Sequence, residues 1–428
     1  MKKIFIVLLG LMLVGCQSPQ SQPTTNQTKK EKGDLILKEW KYLFWNGDTS
    51  KKGYYFLKDE EEKSYISYYD YASKQEVYLC NKPECQHKDE TCTAYLESGS
   101  SMMNQILVYG DHLYMIETMG FGMNALGERE QKGPGIVQMD LDGQNRKELC
   151  RLDDGYEFEL NNLIFADDEL YIPVTKTQNV EVNLNETMQV TTDKNLCSIN
   201  LKTGDITKVF DMKYKNILGG EGRQLIMSTM SYSEDPQKYL DEKNYKKYDK
   251  LMMNAKVNYE IYNIDTKESK TVQVNHQEIG NYYQNKIYYI EKNQLYILDL
   301  ETEKISHIID LPKGSTYNFS MIINDYAIIE QWKDKFIDTY KISLENPKLE
   351  KLNQSTRAPK EFVQILAQTK DQLLVVYDRE GGKEEKTWAG TMQYETQKEY
   401  VGLISKDDFL NNKKNYEPIK TLTKKRRA

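Results

Sequence analysis

A strand–turn–strand unit recurs along most of this chain, and that repetition restricts the fold more than any other feature. It is plainest at 64–80 (SYISYYDYASKQEVYLC), 135–152 (GIVQMDLDGQNRKELCRL), 195–212, 259–275, 293–311 and 338–352, with a weaker copy at 399–422. Each copy joins two period-two runs through a turn rich in Asp, Lys, Gly, Asn or Thr. A second hairpin precedes most of them, at 105–118, 162–176, 279–292, 318–332 and 363–378. Its turns carry Gly110-Asp111, Ala166-Asp167-Asp168 or Gln284-Asn285, and Gly, Asn and Asp tolerate the positive φ of tight hairpins. Two hairpins make a four-stranded sheet that cannot cover both of its faces alone, whereas packing such sheets in a ring covers them all. The expected fold class is therefore all-β: a β-propeller of about seven four-stranded blades over 35–423, with a pair of β-sandwiches as the alternative. By position, Leu35–Trp45 is expected to complete the last blade and close the ring.

Two stretches break the rhythm. Residues 119–134 are Gly-rich and read as a mobile loop. Residues 231–256 place Tyr239, Leu240, Tyr245, Tyr248, Leu251 and Met252 at helical spacing after Pro236, which predicts one short helical insertion on one face. Insertions of this kind build binding surfaces on rigid scaffolds.

The N-terminus supplies an address. Lys2 and Lys3 precede the apolar run Ile4–Leu13, and Leu13-Val14-Gly15-Cys16 matches a bacterial lipobox. Residues 1–15 are read as a lipoprotein signal peptide and Cys16 as the lipidated residue, an ordinary cleaved signal peptide being the alternative. Residues 16–34 hold the lipidated Cys16 and a polar stretch without large apolar side chains, a flexible tether. The expected location is the extracytoplasmic face of the cell membrane, with the lipid on Cys16 as the membrane contact. The formal net charge is −7, and it becomes −9 once Lys2 and Lys3 leave with the signal. An acidic surface of mixed charge argues against nucleic acid as a partner. A monomer is expected. Residues 424–428 form a basic tail (Lys424-Lys425-Arg426-Arg427), read as solvated, with contact to anionic headgroups or wall polymers as the alternative.

Six cysteines bear on the chemistry. With Cys16 lipidated, Cys80, Cys85, Cys92, Cys150 and Cys197 remain, an odd number that cannot all pair within the chain. One solution is a tetrahedral structural zinc site of Cys80, Cys85, His87 and Cys92, three thiolates and an imidazole with no open position. The other is a disulfide within the trio and one free thiol, as an oxidising location permits. Cys150 and Cys197 then pair as a disulfide or stay reduced. Asp140-Leu-Asp142-Gly143-Gln-Asn145 lacks the carboxylates of a calcium loop and reads as a hairpin turn.

MDLDGQNRKEL (139–149) resembles the outer-hairpin repeat of TolB-like propellers. Cys80-Asn-Lys-Pro83-Glu-Cys85-Gln-His87-x4-Cys92, together with the lipobox, resembles a block in uncharacterised propeller lipoproteins of low-GC Gram-positive bacteria. The resemblance implies a propeller at the cell surface and carries no established activity.

No G-x-S-x-G, H-E-x-x-H or P-loop occurs, and the strand histidines His112 and His307, with His276 at a strand end, read as structural. No catalytic residue is assigned. The expected function is binding or scaffolding at the cell envelope, toward a protein or wall polymer. The alternatives are a cell-wall glycan or polymer binder, read from the 32 tyrosines, and a propeller hydrolase or lyase.

Overall fold

The computed structural model describes residues 32–39, 46–60, 63–96, 104–118, 120–123, 129–183, 186–333, 336–357, 361–381, 383–386, 392–395 and 398–422. They form a seven-bladed β-propeller of antiparallel four-stranded sheets. Blade 1 holds Gly47–Thr49, Gly53–Glu60, Lys63–Asp70 and Gln75–Tyr78, and blade 2 holds Asn104–Tyr109, His112–Glu117, Gly135–Asp140 and Lys147–Arg151. Blade 3 holds Leu163–Ala166, Glu169–Asn183, Glu186–Asn200 and Ile206–Asp211, and blade 4 Lys215–Glu221, Gln224–Ser231, Lys256–Asn263 and Ser269–His276. Blades 5 and 6 begin at Asn281 and Thr316, and blade 7 holds Gln364–Gln368, Gln372–Glu380, Lys398–Ser405 and Glu417–Pro418.

The sequence pattern explains the layering. Second strands are walled by a neighbouring blade on each side, so they carry continuous buried runs such as Leu113–Ile116, Leu225–Met227 and Leu373–Val376. Fourth strands face solvent, and Ile305–Asp310 is largely exposed. One apolar cluster fills each gap between successive blades. The last joins Tyr54 and Tyr69 of blade 1 to Leu374, Val376, Val401 and Leu403 of blade 7, which completes the ring.

Ring closure departs from the expectation. Ile36–Lys38 does not complete the last blade; it pairs antiparallel with Leu163–Phe165, on the channel side of blade 3. Residues 40–45 lie outside the described set. The C-terminal segment closes the ring instead: Glu76 N–H donates to the Lys420 carbonyl and Lys420 N–H to the Lys74 carbonyl, both at 2.9 Å. Leu35 is drawn inward because Ile164, Leu196, Ile217 and Leu225 offer it an apolar seat between blades 3 and 4.

Successive turns alternate between the two faces of the ring. The first-to-second and third-to-fourth strand turns share one, the turn face. There the residue after the third strand donates its N–H to the inner turn in six blades: Tyr71 to Lys52, Leu201 to Asp168, Ile264 to Arg223, Leu300 to Asn285, Leu344 to Asp325 and Lys406 to Asp371. The opposite, insertion face carries the second-to-third strand connections, where the excursions lie. Blade 4 bears the expected helical one, as two short helices. Gln237–Asp241 starts at Pro236, and Tyr245–Met253 starts at Asn244, whose side chain accepts from Lys247 N–H. Blade 2 bears a two-stranded ladder, Gly120–Met123 with Arg129–Lys132, where a loop was expected. Two further excursions were not anticipated: the 15-residue strands of blade 3, and the ladder Lys383–Lys386 with Met392–Glu395 in blade 7.

The gap between blades 4 and 5 holds a pH-sensitive contact. His276 is 6 % exposed, and its Nε2 lies 2.9 Å from Tyr259 Oη, which itself accepts from Gly280 N–H. The imidazole stacks on Tyr289 with ring centroids 4.3 Å apart. Burial pushes its pKa down to about 4, against an opposing pull from the backbone at Glu278. The unfolded chain protonates this histidine near pH ~6.5, so the folded state takes up its proton later. Its stabilising contribution is complete above about pH 6.5 and is lost as pH falls toward about 4. Urea unfolding should register a loss of about 3 kcal/mol across that window, absent in His276→Gln. An identical pH dependence in both proteins would contradict this assignment.

Candidate metal centre

The fourth strand of blade 1 is interrupted. Leu79 N–H donates to the Ile66 carbonyl at 2.9 Å, and Ile66 N–H donates to the Ala94 carbonyl at 2.8 Å. Tyr95–Leu96 then resumes pairing, with Ser64 and Tyr65. Residues 80–93 therefore bulge from the outer edge of blade 1 as a loop whose two ends meet on Ile66.

Local chemistry folds this loop tightly. Glu84 and His87 take left-handed φ values of 59° and 52° after Pro83. Asp89 accepts from Thr91 N–H at 3.0 Å and from its hydroxyl at 2.6 Å, and Cys92 N–H donates to the Asp89 carbonyl. Tyr65 Oη donates to the His87 carbonyl at 2.9 Å, and the Tyr78 ring packs against the imidazole.

The four side chains grouped from their spacing converge. One ligand atom each from Cys80, Cys85, His87 and Cys92 lies within 4.8 Å of the other three, and His87 Nδ1 is 3.1 Å from Cys92 Sγ. A tetrahedral ion with bonds of about 2.0–2.3 Å needs ligand atoms roughly 3.5–3.8 Å apart, so small side-chain shifts suffice. The quartet could hold a metal ion. All three thiols are unbonded.

The thiols are electrostatically unequal. Burial raises Cys80, but hydrogen bonds from Thr93, from the Lys82 backbone and from Cys85 outweigh it and bring the pKa to about 7. Burial pushes Cys92 up to about 12, and the neighbouring thiols Cys80 and Cys85 add to the rise. Cys80 thus ionises before Cys92. A bound cation would reverse the order of effects by favouring thiolate at all three positions.

The loop is docked on blade 2. Asn81 Nδ2 donates to Asp142 Oδ2 at 3.1 Å, Gln144 Nε2 to Asn81 Oδ1 at 3.0 Å, and Arg146 Nη1 to the Tyr95 carbonyl at 3.0 Å. Asp140–Asn145 is the hairpin turn expected of it, with Gly143 N–H donating to the Asp140 carbonyl. Gly143 has φ +79°, and a Cβ there would lie 3.1 Å from the Leu79 carbonyl oxygen, so glycine is needed both for the turn and for the docking. None of these docking partners was identified from sequence; the strand–Asp–Gly–strand signal marked the turn but not its neighbour.

Of the two alternatives for Cys150 and Cys197, a disulfide or reduced thiols, the structure has free thiols. Cys150 lies on the fourth strand of blade 2 and Cys197 on the third strand of blade 3, both in the apolar gap between those blades. Burial pushes Cys150 up to about 11 and also raises Cys197; both pack as small apolar side chains in that gap. Cys16 and the basic tail from Lys424 to Arg427 lie outside the described residues.

No protein-family model matches the chain, and no curated protein matches it. Solved structures do. A puromycin-hydrolysing peptidase of Mycobacterium tuberculosis matches with 9 % identity over 91 % of this chain and 56 % of its own, at a TM-score of 0.51. A prolyl endopeptidase matches with 9 % identity over 91 % and 50 %, at 0.50. TolB from Acinetobacter baumannii matches with 12 % identity over 84 % and 76 %, at 0.33. The chain spans about half the length of the two peptidases, and at such identity the likeness shows the propeller fold alone.

Proposed function

We propose that this chain is a lipid-anchored, extracytoplasmic propeller that binds or scaffolds a partner at the cell envelope, with a structural zinc ion stapling its rim loop. The observation that carries the binding reading is the placement of the excursions. Those of blades 2, 3, 4 and 7 all leave from second-to-third strand connections, hence from one face. Rigid blades with elaborated connections on one side are how such scaffolds present contact surfaces. Lipidation of Cys16 is supported by the lipobox and the polar tether. Zinc is supported by the closed three-thiol, one-imidazole donor set, whose softness suits that ion and which leaves no position for substrate.

The test compares the mature chain with a trimmed form in which 120–132 and 237–254 are replaced by two-residue turns, each immobilised against crosslinked envelope extract and against purified wall polymer. Capture of a defined envelope protein by the parent, lost on trimming, is the expected result. Capture of wall polymer instead would move the reading to glycan recognition. Equal capture by both forms would remove the contact from the excursions of blades 2 and 4, and no capture by either would sink the binding reading.

A further inference from the structure

The first residues of the propeller are held against the turn face. Gly33 N–H donates to Asp167 Oδ1 at 2.9 Å, and Arg223 Nη1 donates to the Gly33 carbonyl at 2.6 Å. Leu35 N–H donates to the Gly222 carbonyl at 2.8 Å. Asp167, Gly222 and Arg223 belong to the first-to-second strand turns of blades 3 and 4, the same turns that define this face. Arg223 acts as the clasp, pairing also with Asp265 at 3.0 Å and Asp167 at 3.1 Å.

From this clasp the chain runs into the channel. Ile36 pairs with Phe165, Leu37 with Ile164 and Lys38 with Leu163, antiparallel to the inner strand of blade 3. Lys38 Nζ then reaches Asp48 of blade 1 at 2.6 Å, both side chains nearly buried, while Asp48 also accepts from Val108 N–H of blade 2. Blade 3 thus holds this strand by main-chain pairing and blade 1 by charge. The chain enters the ring at the turn face and runs from Gly33 to Lys38 along the inner strand of blade 3, away from that face.

We infer that this threading sets which way the propeller faces: the turn face lies toward whatever holds the N-terminus, and the insertion face points away from it. In the cell this rests on the anchoring through Cys16 proposed above. The insertion face then addresses components beyond the membrane plane rather than lipid headgroups. Lengths support the inference. A blade of four strands about 4.8 Å apart is roughly 19 Å wide, and strands of eight residues are about 26 Å long. To lay the insertion face on the membrane, a chain leaving beside the channel has to cross that width and that height, roughly 45 Å. Seventeen residues have a fully extended limit of roughly 56–61 Å. The overturned pose therefore demands a nearly taut tether.

The experiment separates anchor from orientation. Residues 17–428 carrying an N-terminal histidine tag are held on nickel-chelating vesicles doped with a rhodamine lipid. A donor dye is attached through an azido side chain at Glu301, in the third-to-fourth strand turn of blade 5, or at Met253, which is 82 % exposed on the helical excursion. Energy transfer from Glu301 at least about twofold stronger than from Met253 is expected; equal or reversed transfer overturns the inference. Inserting thirty Gly/Ser residues between Lys32 and Gly33 should erase the difference, because the tether can then wrap the rim. A difference that survives the insertion also overturns it, since threading would not be its cause. Flotation of the natively processed protein with plain vesicles reads the Cys16 anchor separately, so loss of that reading leaves the orientation result standing.

Discussion

Glu76→Ala is expected to cost about 3 kcal/mol and to loosen the seam between blades 1 and 7, because it leaves a half-buried lysine and a closing strand without their shared acceptor. Glu76 is 4 % exposed. Its Oε1 accepts from Lys58 Nζ at 2.8 Å, and its Oε2 accepts from Leu422 N–H at 2.8 Å. Burial alone would lower the Lys58 pKa, yet Glu76, with help from Glu60, raises it. Glu60 lies 2.8 Å from the same ammonium and stays in place, which keeps the cost toward the low end of the range for a broken buried pair. The backbone bonds between Lys74, Glu76 and Lys420 lose their side-chain support as well. Urea unfolding gives the energy, and hydrogen exchange at Lys420 and Leu422 locates it. Glu76→Gln, which retains an acceptor, should fall between parent and alanine variant. A change under about 1 kcal/mol in Glu76→Ala would place the closure elsewhere.

Native mass spectrometry of the mature chain is expected to show one zinc ion, lost on denaturation and absent in Cys92→Ser. Cys92 is 3 % exposed, accepts from Ala94 N–H and faces His87 Nδ1. Its sulfur thus connects the metal set to the strand re-entry at Ala94. Without the metal, four polar ligand groups crowd at one edge of the core shared by blades 1 and 2. Exchange of the Ile66 and Leu79 amides, which fasten the two ends of the loop, should accelerate about 100-fold in Cys92→Ser and equally in parent protein treated with chelator, equivalent to about 3 kcal/mol of local stability. Zinc occupancy should also fall as pH drops, since the ligands bind only after losing their protons. A metal-free chain two hydrogens lighter than its reduced form would establish a disulfide and remove zinc from the site.

The repeat, the blade number and the convergence of the Cys/His quartet were legible because each rests on short-range chemistry. Hairpin turns such as Gly110-Asp111 and Gln284-Asn285 announce themselves by residues that tolerate positive φ, and Gly110, Gln284 and Asn285 adopt it. Cys80, Cys85, His87 and Cys92 lie within 13 residues, so a single loop brings them together. The arm of blade 3 was missed because Thr177–Thr192 carries polar and β-branched residues without a core-facing period, and nothing local distinguishes such an arm from a loop.

Ring closure was misassigned for a different reason. Leu35 to Lys38 has the apolar character of a strand, and character does not name a partner. Its seat is decided by Ile164, Ile217 and Leu225, more than a hundred residues away, and by the turns at Asp167 and Gly222 that clasp its start. Counting cysteines likewise left Cys150 and Cys197 open between pairing and reduced thiols, and they sit as free thiols on separate blades. By itself, then, the sequence determined the blade, its repetition and the donor set of the rim loop, all products of local backbone preference and spacing. Only the tertiary structure decided which strand closes the ring, which pairs with the inner strand of blade 3 and which face bears the excursions, because those follow from long-range burial and register that no local pattern encodes.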